Sequence, residues 1–292
     1  MGGFYWLASY PKSGNTWLRT FLQNLLADLD RPVDINQLGL GHIASSRGWM
    51  DEVLGFDTAN LDHEEIEHLR PAVYQWAMHD DELAFHKIHD ACTYTQDGKP
   101  LFGGEAVRGV VYIVRNPLDI VPSAANHWNC SIDQAIAWMG QPDFEMGTGS
   151  SNKSLTSQIR HRLLSWSQHV LSWVNAPELT VEVVRYEDML AAPETSFGRV
   201  VNFLGLEDDR PRLEKALSFS SFQELSRQEQ VHGFRERPQY ADRFFRQGKS
   251  GEWQQVLSPQ QVQRIIDDHG AVMRRFGYLD AGDKPVVPLN EH

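Results

Sequence analysis

Tyr10-Pro11-Lys12-Ser13-Gly14-Asn15-Thr16-Trp17 joins two runs of opposite pattern. Before it, Phe4-Tyr5-Trp6-Leu7-Ala8 is short and apolar at every position, as in a central strand buried on both faces. After it, Trp17, Leu18, Phe21, Leu22, Leu25, Leu26 and Leu29 recur at helical spacing, with Arg19, Gln23, Asn24 and Asp28 between them. A strand that turns tightly into a helix leaves the first amides of the helix without intrahelical partners, and their dipoles favour an anion. Pro11 and Gly14 shape the turn, Lys12 adds a full positive charge, and Ser13 and Thr16 add hydroxyl donors. The stretch predicts a cradle for phosphate or sulfate. The plainer reading is an ordinary strand-to-helix turn carrying a surface lysine.

The P-loop of nucleotide triphosphatases sets Gly-x-x-x-x-Gly before its Lys-Ser pair. Here those glycine positions hold Trp6 and Pro11. The Lys-Ser order survives, so the loop suits a phosphate without following triphosphate–magnesium chemistry. Composition narrows the partners further. The 292 residues carry a net charge of -12, which argues against nucleic acid or an anionic membrane, since both need a basic face. Any anion site must then be local. No apolar run approaches the roughly 18 residues of a membrane helix, and Met1-Gly2-Gly3-Phe4 lacks the basic start of a signal peptide. Cys92 and Cys130 are the only cysteines, which suggests free thiols in a reducing compartment and hence a cytoplasmic protein. No composition shift marks a boundary, so residues 1–292 are expected to form one large α/β domain, with a frayed tail from about 281 to 292.

Further along, residues 30–60 look loop-rich, and a short helix is expected from about Asp62 to Leu69. His63 and His68 lie five apart and cannot share a helical face as zinc ligands. Leu83-Ala84-Phe85-His86-Lys87-Ile88-His89 reads as a second core strand, with Lys87 and His89 projecting from one face near its carboxyl end, where open α/β sheets bind ligands. The competing reading is a solvated lysine and a hydrogen-bonded turn histidine. His86, His89 and Cys92 offer no metal site, because alternation puts the two histidines on opposite faces and no fourth ligand is evident. Val110-Val111-Tyr112-Ile113-Val114 is the clearest buried strand. Arg115 ends it, Asn116 can cap the following helix, and Pro117 suits its first turn. Residues 140–154 read as a surface loop, and Leu155, Ile159, Leu163, Trp166, Val170 and Trp173 as one core helix. Leu179–Val184 is a strand, Pro193–Leu204 and Arg210–Leu225 are helices joined by Gly205, and Ser258-Pro259-Gln260-Gln261 opens the last helix with a capping box.

The string at 10–17 resembles the 5′-phosphosulfate loop of sulfotransferases that use 3′-phosphoadenosine 5′-phosphosulfate (PAPS). Three further stretches resemble that family in the same order. Phe85-His86-Lys87-Ile88-His89 is similar to the Lys-Thr-His segment carrying the catalytic base, with Ile88 in place of threonine. Arg115-Asn116-Pro117-Leu118-Asp119 through Ser123 matches the motif whose arginine and serine bind the 3′-phosphate. Arg246-Gln247-Gly248-Lys249-Ser250-Gly251-Glu252-Trp253 resembles the loop that closes over the same phosphate, with Gln247 replacing a lysine. Tyr186, in Tyr186-Glu187-Asp188, and Phe222, after Ser221, resemble residues that meet the adenine.

The resemblance implies a central parallel β-sheet with helices on both faces, a three-layer architecture like that of P-loop nucleoside kinases. It also implies in-line sulfuryl transfer from PAPS to a hydroxyl or amine of a small molecule, leaving 3′-phosphoadenosine 5′-phosphate (PAP), with no metal. His89 would be the general base, with Lys12 and Lys87 stabilising charge. Lys12, Ser13, Gly14, Asn15, Thr16, Trp17, Arg115, Ser123, Tyr186, Phe222, Arg246 and Gly248 would hold the nucleotide. Two alternatives stand beside it: a magnesium-dependent nucleotide kinase or triphosphatase, and a non-catalytic nucleotide-binding module.

Overall fold

A computed structural model describes residues 2–77, 83–149 and 158–287. In chain order the elements are β1 (Gly3–Ser9), α1 (Asn15–Ala27), α2 (Arg47–Leu54), α3 (His63–Trp76), β2 (Leu83–Ile88), β3 (Val107–Val114), α4 (Pro117–Trp128), α5 (Ile132–Gly140), β4 (Glu145–Met146), β5 (His161–Arg162), α6 (Trp166–Val174), β6 (Val181–Arg185), α7 (Tyr186–Ala191), α8 (Pro193–Phe203), α9 (Arg210–Phe219), α10 (Phe222–His232), α11 (Trp253–Val256) and α12 (Pro259–Arg275). The central sheet is parallel, in the order β2-β1-β3-β6, and helices flank it, as the sequence predicts for an α/β fold. β4 and β5 form a separate two-stranded antiparallel pair. The chain divides into two compact units, one of Met1–Tyr10, Gly41–Tyr112 and Gln141–Val183, the other of Pro11–Leu40, Ile113–Gly140 and Val184–His292.

In the first unit every residue of β1 is buried, which is why its sequence lacks the alternation of a half-exposed strand. Its register on β2 runs from Gly3 opposite Leu83 to Ala8 opposite Ile88, so Ser9 and His89 follow as the next pair of positions. The outer edge of β2 is engaged too. The Lys87 amide donates to the His42 carbonyl at 3.1 Å, and the Ala44 amide donates to the Lys87 carbonyl at 2.8 Å. In the same unit the buried Arg70 guanidinium pairs with Asp90 at 2.7 Å and donates to the Tyr74 hydroxyl at 2.7 Å. Removing one member of such a pair strands a charge, at a cost of about 3–5 kcal/mol.

In the second unit α1 buries Leu18, Phe21, Leu22 and Leu25. Ile35, Leu225, Phe234 and Phe245 form a cluster against which Trp17, Phe222 and Phe244 pack. The Glu229 carboxylate fixes that cluster's loop by accepting from the Phe244 and Phe245 amides at 2.7 and 2.9 Å.

Several local expectations need correction. Residues 30–60 contain α2, capped by Ser46, whose hydroxyl accepts from the Trp49 amide at 3.2 Å. The helix expected to stop at Leu69 continues through Pro71 to Trp76. Of the single helix expected from Leu155, the described part is not helical until Trp166: Ile159 and Leu163 are buried outside a helix, and α6 starts only where Ser165 and Gln168 form a capping box. Leu155 itself lies outside the described residues, as do 150–154 of the expected surface loop. Arg210–Leu225 is broken at Ser220, because Ser221 leaves the helical conformation and caps α10 through its side chain. The expected frayed tail is tied as far as it is described, with Leu279 bridged to Pro285 and the Val286 amide donating to the Tyr278 carbonyl at 2.9 Å.

Candidate functional site

The residues expected from the sequence to hold a nucleotide lie in the second unit. Gly14, at φ 103°, starts α1 with its carbonyl, which accepts from the Trp17 and Leu18 amides at 3.0 and 3.2 Å. No side chain caps this helix and no acidic residue occupies its first turn. Its positive end is therefore left to something else. Ser13 is buried and its hydroxyl has no partner; the same holds for the Trp17 indole N–H and the Nε of Arg115. Each unpaired buried donor costs about 1–3 kcal/mol, so three around one uncapped helix start fit a ligand rich in acceptor oxygens. Asn15 and Thr16 are buried in the first turn, and the Thr20 hydroxyl donates to the Thr16 carbonyl at 2.9 Å.

Lys12 has φ 70°, a left-handed conformation uncommon for a side-chain-bearing residue. Its ammonium sits 4.0 Å from the centroid of the Phe244 ring, a cation–π contact. Arg115 ties the loop down from the end of β3. Its Nη1 donates to the Lys12 carbonyl at 2.8 Å, its Nη2 donates to the Lys249 carbonyl at 3.4 Å, and its guanidinium lies 4.3 Å from the Tyr186 ring centroid. Tyr186 packs in turn on Gly14, where an added Cβ would stand 2.7 Å from the ring, and edge-on against Trp17 at 6.0 Å between centroids.

Asn116 caps α4 as the sequence predicts, accepting from the Leu118 amide at 3.0 Å. Ser123 lies partly exposed within that helix. Arg246 reaches the residue beside it, donating to the Pro122 carbonyl at 3.3 Å while pairing with Glu252 at 2.7 Å. Gly248, at φ 61°, lays its backbone on Phe222: a Cβ there would meet the ring at 2.3 Å. In this unit the structure thus joins Lys12, Gly14, Trp17, Arg115 and Tyr186 by direct contact, sets Arg246 beside Ser123, and sets Gly248 on Phe222.

The candidate base lies in the first unit. Lys87 and His89 are both partly exposed, while Ile88 between them is fully buried, as strand alternation predicts. The Nδ1 of His89 lies 2.8 Å from the Ser9 carbonyl oxygen. A carbonyl can only accept, so Nδ1 carries the proton and Nε2 is left with its lone pair, the form a general base requires. Burial first, and then the charge of Lys87, hold the pKa of His89 well below the ordinary imidazole value, so the ring is neutral near pH 7. Behind it, the Nε2–H of His169 donates to the His89 carbonyl at 3.0 Å, and the Tyr112 hydroxyl donates to His169 Nδ1 at 2.8 Å. His86 packs away from this pair, stacked on Trp49 at 4.6 Å.

Sequence reading missed Ser9, His169 and Phe244 as members of these constellations, and none of the three carried a local pattern. Among the described residues no cluster of three or more His, Cys, Asp or Glu is arranged to hold a metal, and no helix is long and apolar enough to cross a membrane. Cys92 and Cys130 are unbridged.

A family model described as a sulfotransferase domain matches residues 106–277. Sulfotransferase 2A2 of Rattus norvegicus is 27% identical over 218 residues, 74% of this chain, and the alignment takes in 64% of the rat protein, less than two thirds of its length. Flavonol 3-sulfotransferase of Flaveria bidentis is 22% identical over 273 residues, covering 89% of this chain and 78% of the plant protein. Among solved structures, retinol dehydratase in complex with androsterone and inactive cofactor PAP superposes with a TM-score of 0.60 at 17% identity, covering 93% of this chain and 80% of that one. A mouse sulfotransferase complexed with PAP gives a TM-score of 0.57 at 19% identity, with 93% and 85% covered. At these identities the superpositions establish a shared fold.

Proposed function

The chain belongs to the sulfotransferase-domain family, and from that membership we propose that it transfers the sulfuryl group of PAPS to a hydroxyl or amine of a small-molecule acceptor. The observation that carries the proposal is the uncapped start of α1, ringed by the unpaired donors of Ser13, Trp17 and Arg115. PAPS supplies an activated sulfuryl group on a 5′-phosphate leaving group and a 3′-phosphate for recognition. Ser13, Thr16 and the amides of the 12–17 loop bind the 5′ side, and Lys12, released from Phe244, neutralises the charge that grows there as the bond to sulfur breaks. Arg115, Ser123, Arg246 and the backbone at Gly248 hold the 3′-phosphate, while Trp17, Tyr186 and Phe222 enclose the adenine.

His89 takes the acceptor's proton on Nε2 as the new S–O or S–N bond forms; its Nδ1–H stays on the Ser9 carbonyl, which steadies the imidazolium. Lys87 offsets charge on the sulfuryl oxygens. The unbridged thiols are consistent with a reducing, cytoplasmic setting.

Calorimetric titration with PAP, against ATP with and without magnesium, tests the reading. Metal-independent binding that requires the 3′-phosphate and weakens at least about tenfold in Arg115→Ala is expected, the scale of a lost charge-assisted hydrogen bond. Preference for magnesium–ATP would instead favour the kinase reading. His89→Ala should keep PAP affinity and lose turnover; turnover at the wild-type rate would remove His89 from the mechanism.

A further inference from the structure

Asp119 is an acidic residue buried among groups assigned to an anion. It lies in the first turn of α4, four residues beyond Arg115, and is 1% exposed. Charge alone makes it the wrong residue for a phosphate site, since a fixed carboxylate repels the ligand. Its contacts give it another purpose. Oδ2 accepts from the Ser250 hydroxyl at 2.9 Å and from the Gly251 amide at 2.8 Å, and Oδ1 accepts from the Trp253 amide at 3.3 Å. All three donors lie in the stretch that follows Lys249, whose carbonyl takes the Nη2 of Arg115.

The segment from 233 to 252 contains no helix or strand of its own, so its path is set by such side-chain ties. Glu229 holds one part at Phe244 and Phe245, and Asp119 holds the other at 250–253. Arg246 and Gly248 lie between the two anchors.

We propose that Asp119 is a positioning residue that gives the site its selectivity for a 3′-phosphorylated nucleotide, by fastening the 246–253 loop to the helix that follows Arg115 and carries Ser123. The inference rests on the donor reading above. With its charge spent on two amides and a hydroxyl, Asp119 keeps the loop's backbone and Arg246 in register with Arg115. Loss of the tie releases the loop, and with it the contacts to the 3′-phosphate, while those at the 12–17 loop persist.

The test compares PAP with adenosine 5′-monophosphate, which lacks the 3′-phosphate, on wild type, Asp119→Asn and Ser250→Ala by calorimetry. Wild type is expected to prefer PAP. Asp119→Asn should weaken PAP about tenfold or more and leave the monophosphate within about twofold, and Ser250→Ala should weaken PAP about threefold to tenfold, the scales of two lost bonds and one. A role limited to charge predicts the opposite sign, because removing a carboxylate tightens a dianion. Unchanged or tighter PAP binding in Asp119→Asn therefore overturns the inference. If that variant does not fold, an unchanged PAP-to-monophosphate ratio in Ser250→Ala overturns it. Absence of any PAP preference in the wild type would instead strike the donor reading itself, and the inference with it.

Discussion

Gly248 shows what a single residue in this chain must satisfy. The motif marks it as a glycine beside a phosphate, which suggests room for an approaching oxygen. The structure adds a second demand from the other side. At φ 61° a side chain is already strained, and its Cβ would stand 2.3 Å from Phe222. Gly248→Ala must therefore displace the aromatic ring assigned to the adenine, or move the loop. A loss of about 1–3 kcal/mol in stability, with weaker PAP binding, is expected. Urea denaturation beside a PAP titration checks both; a variant matching wild type in each would mean that Phe222 yields freely. Sequence could locate this glycine but not its neighbour, because the contact joins a loop to the first residue of α10 far back in the chain. The same limit hid Ser9, whose carbonyl sets the tautomer of His89. The sequence pointed to His89 as a candidate base, but it could not show the backbone carbonyl that its Nδ1–H meets.

At the level of elements, those with an uninterrupted pattern were read correctly. β1 and the 110–114 part of β3 are continuous apolar runs, although β3 itself starts three residues earlier, at Val107, and α4 and α12 carry their caps in the sequence. α6 was misread because buried residues at spacings of three and four fit a non-helical segment followed by a short helix as well as they fit one long helix. Its short form has a consequence for the candidate base. His169 donates to the His89 carbonyl, Trp173 donates to the Asp90 carbonyl at 2.9 Å, and the Ser172 hydroxyl accepts from the Cys92 amide at 2.9 Å. One face of α6 thus pins three residues of the segment that follows β2. His169→Leu removes the donor to His89 and the acceptor for Tyr112 at a fully buried position. Two broken buried hydrogen bonds should cost about 2–4 kcal/mol. His169→Gln, which keeps one amide donor and one acceptor, should recover a good part of it. Equal urea midpoints for the two variants would show that volume, not hydrogen bonding, sets the cost.

For the whole molecule, the buried histidines make acid the condition under which the fold should fail first. His86, His169 and His269 are buried, and burial lowers each from the ordinary value to about 4. His161 is lowered by burial as well, and His89 lies well below the ordinary value. Between about pH 6.5 and 4 the unfolded chain therefore binds protons that the folded chain refuses. Stability is fully present above the unfolded imidazole value and is lost as pH falls through this window, each group contributing up to ~1.4 kcal/mol per pH unit. One buried carboxyl acts in the opposite sense. Burial raises Glu187, despite its bonds from the Asn116 amide and the Tyr278 hydroxyl, so its contribution is present at low pH and lost as pH rises. Among the described residues, five histidines stand against one carboxyl, which leaves the histidines dominant. Net stability of an ordinary domain is only about 5–15 kcal/mol, so the loss should be visible well before the surface carboxylates protonate. Urea denaturation at intervals from pH 7.5 to 4.5 should give a free energy that falls steadily below about pH 6.5. His269→Gln isolates one group, because His269 lies in α12, apart from the residues assigned to catalysis. That variant should start less stable at neutral pH and fall less steeply, by up to ~1.4 kcal/mol per pH unit. A slope identical to wild type would mean that His269 takes up its proton without unfolding, and that the acid limb belongs to other groups.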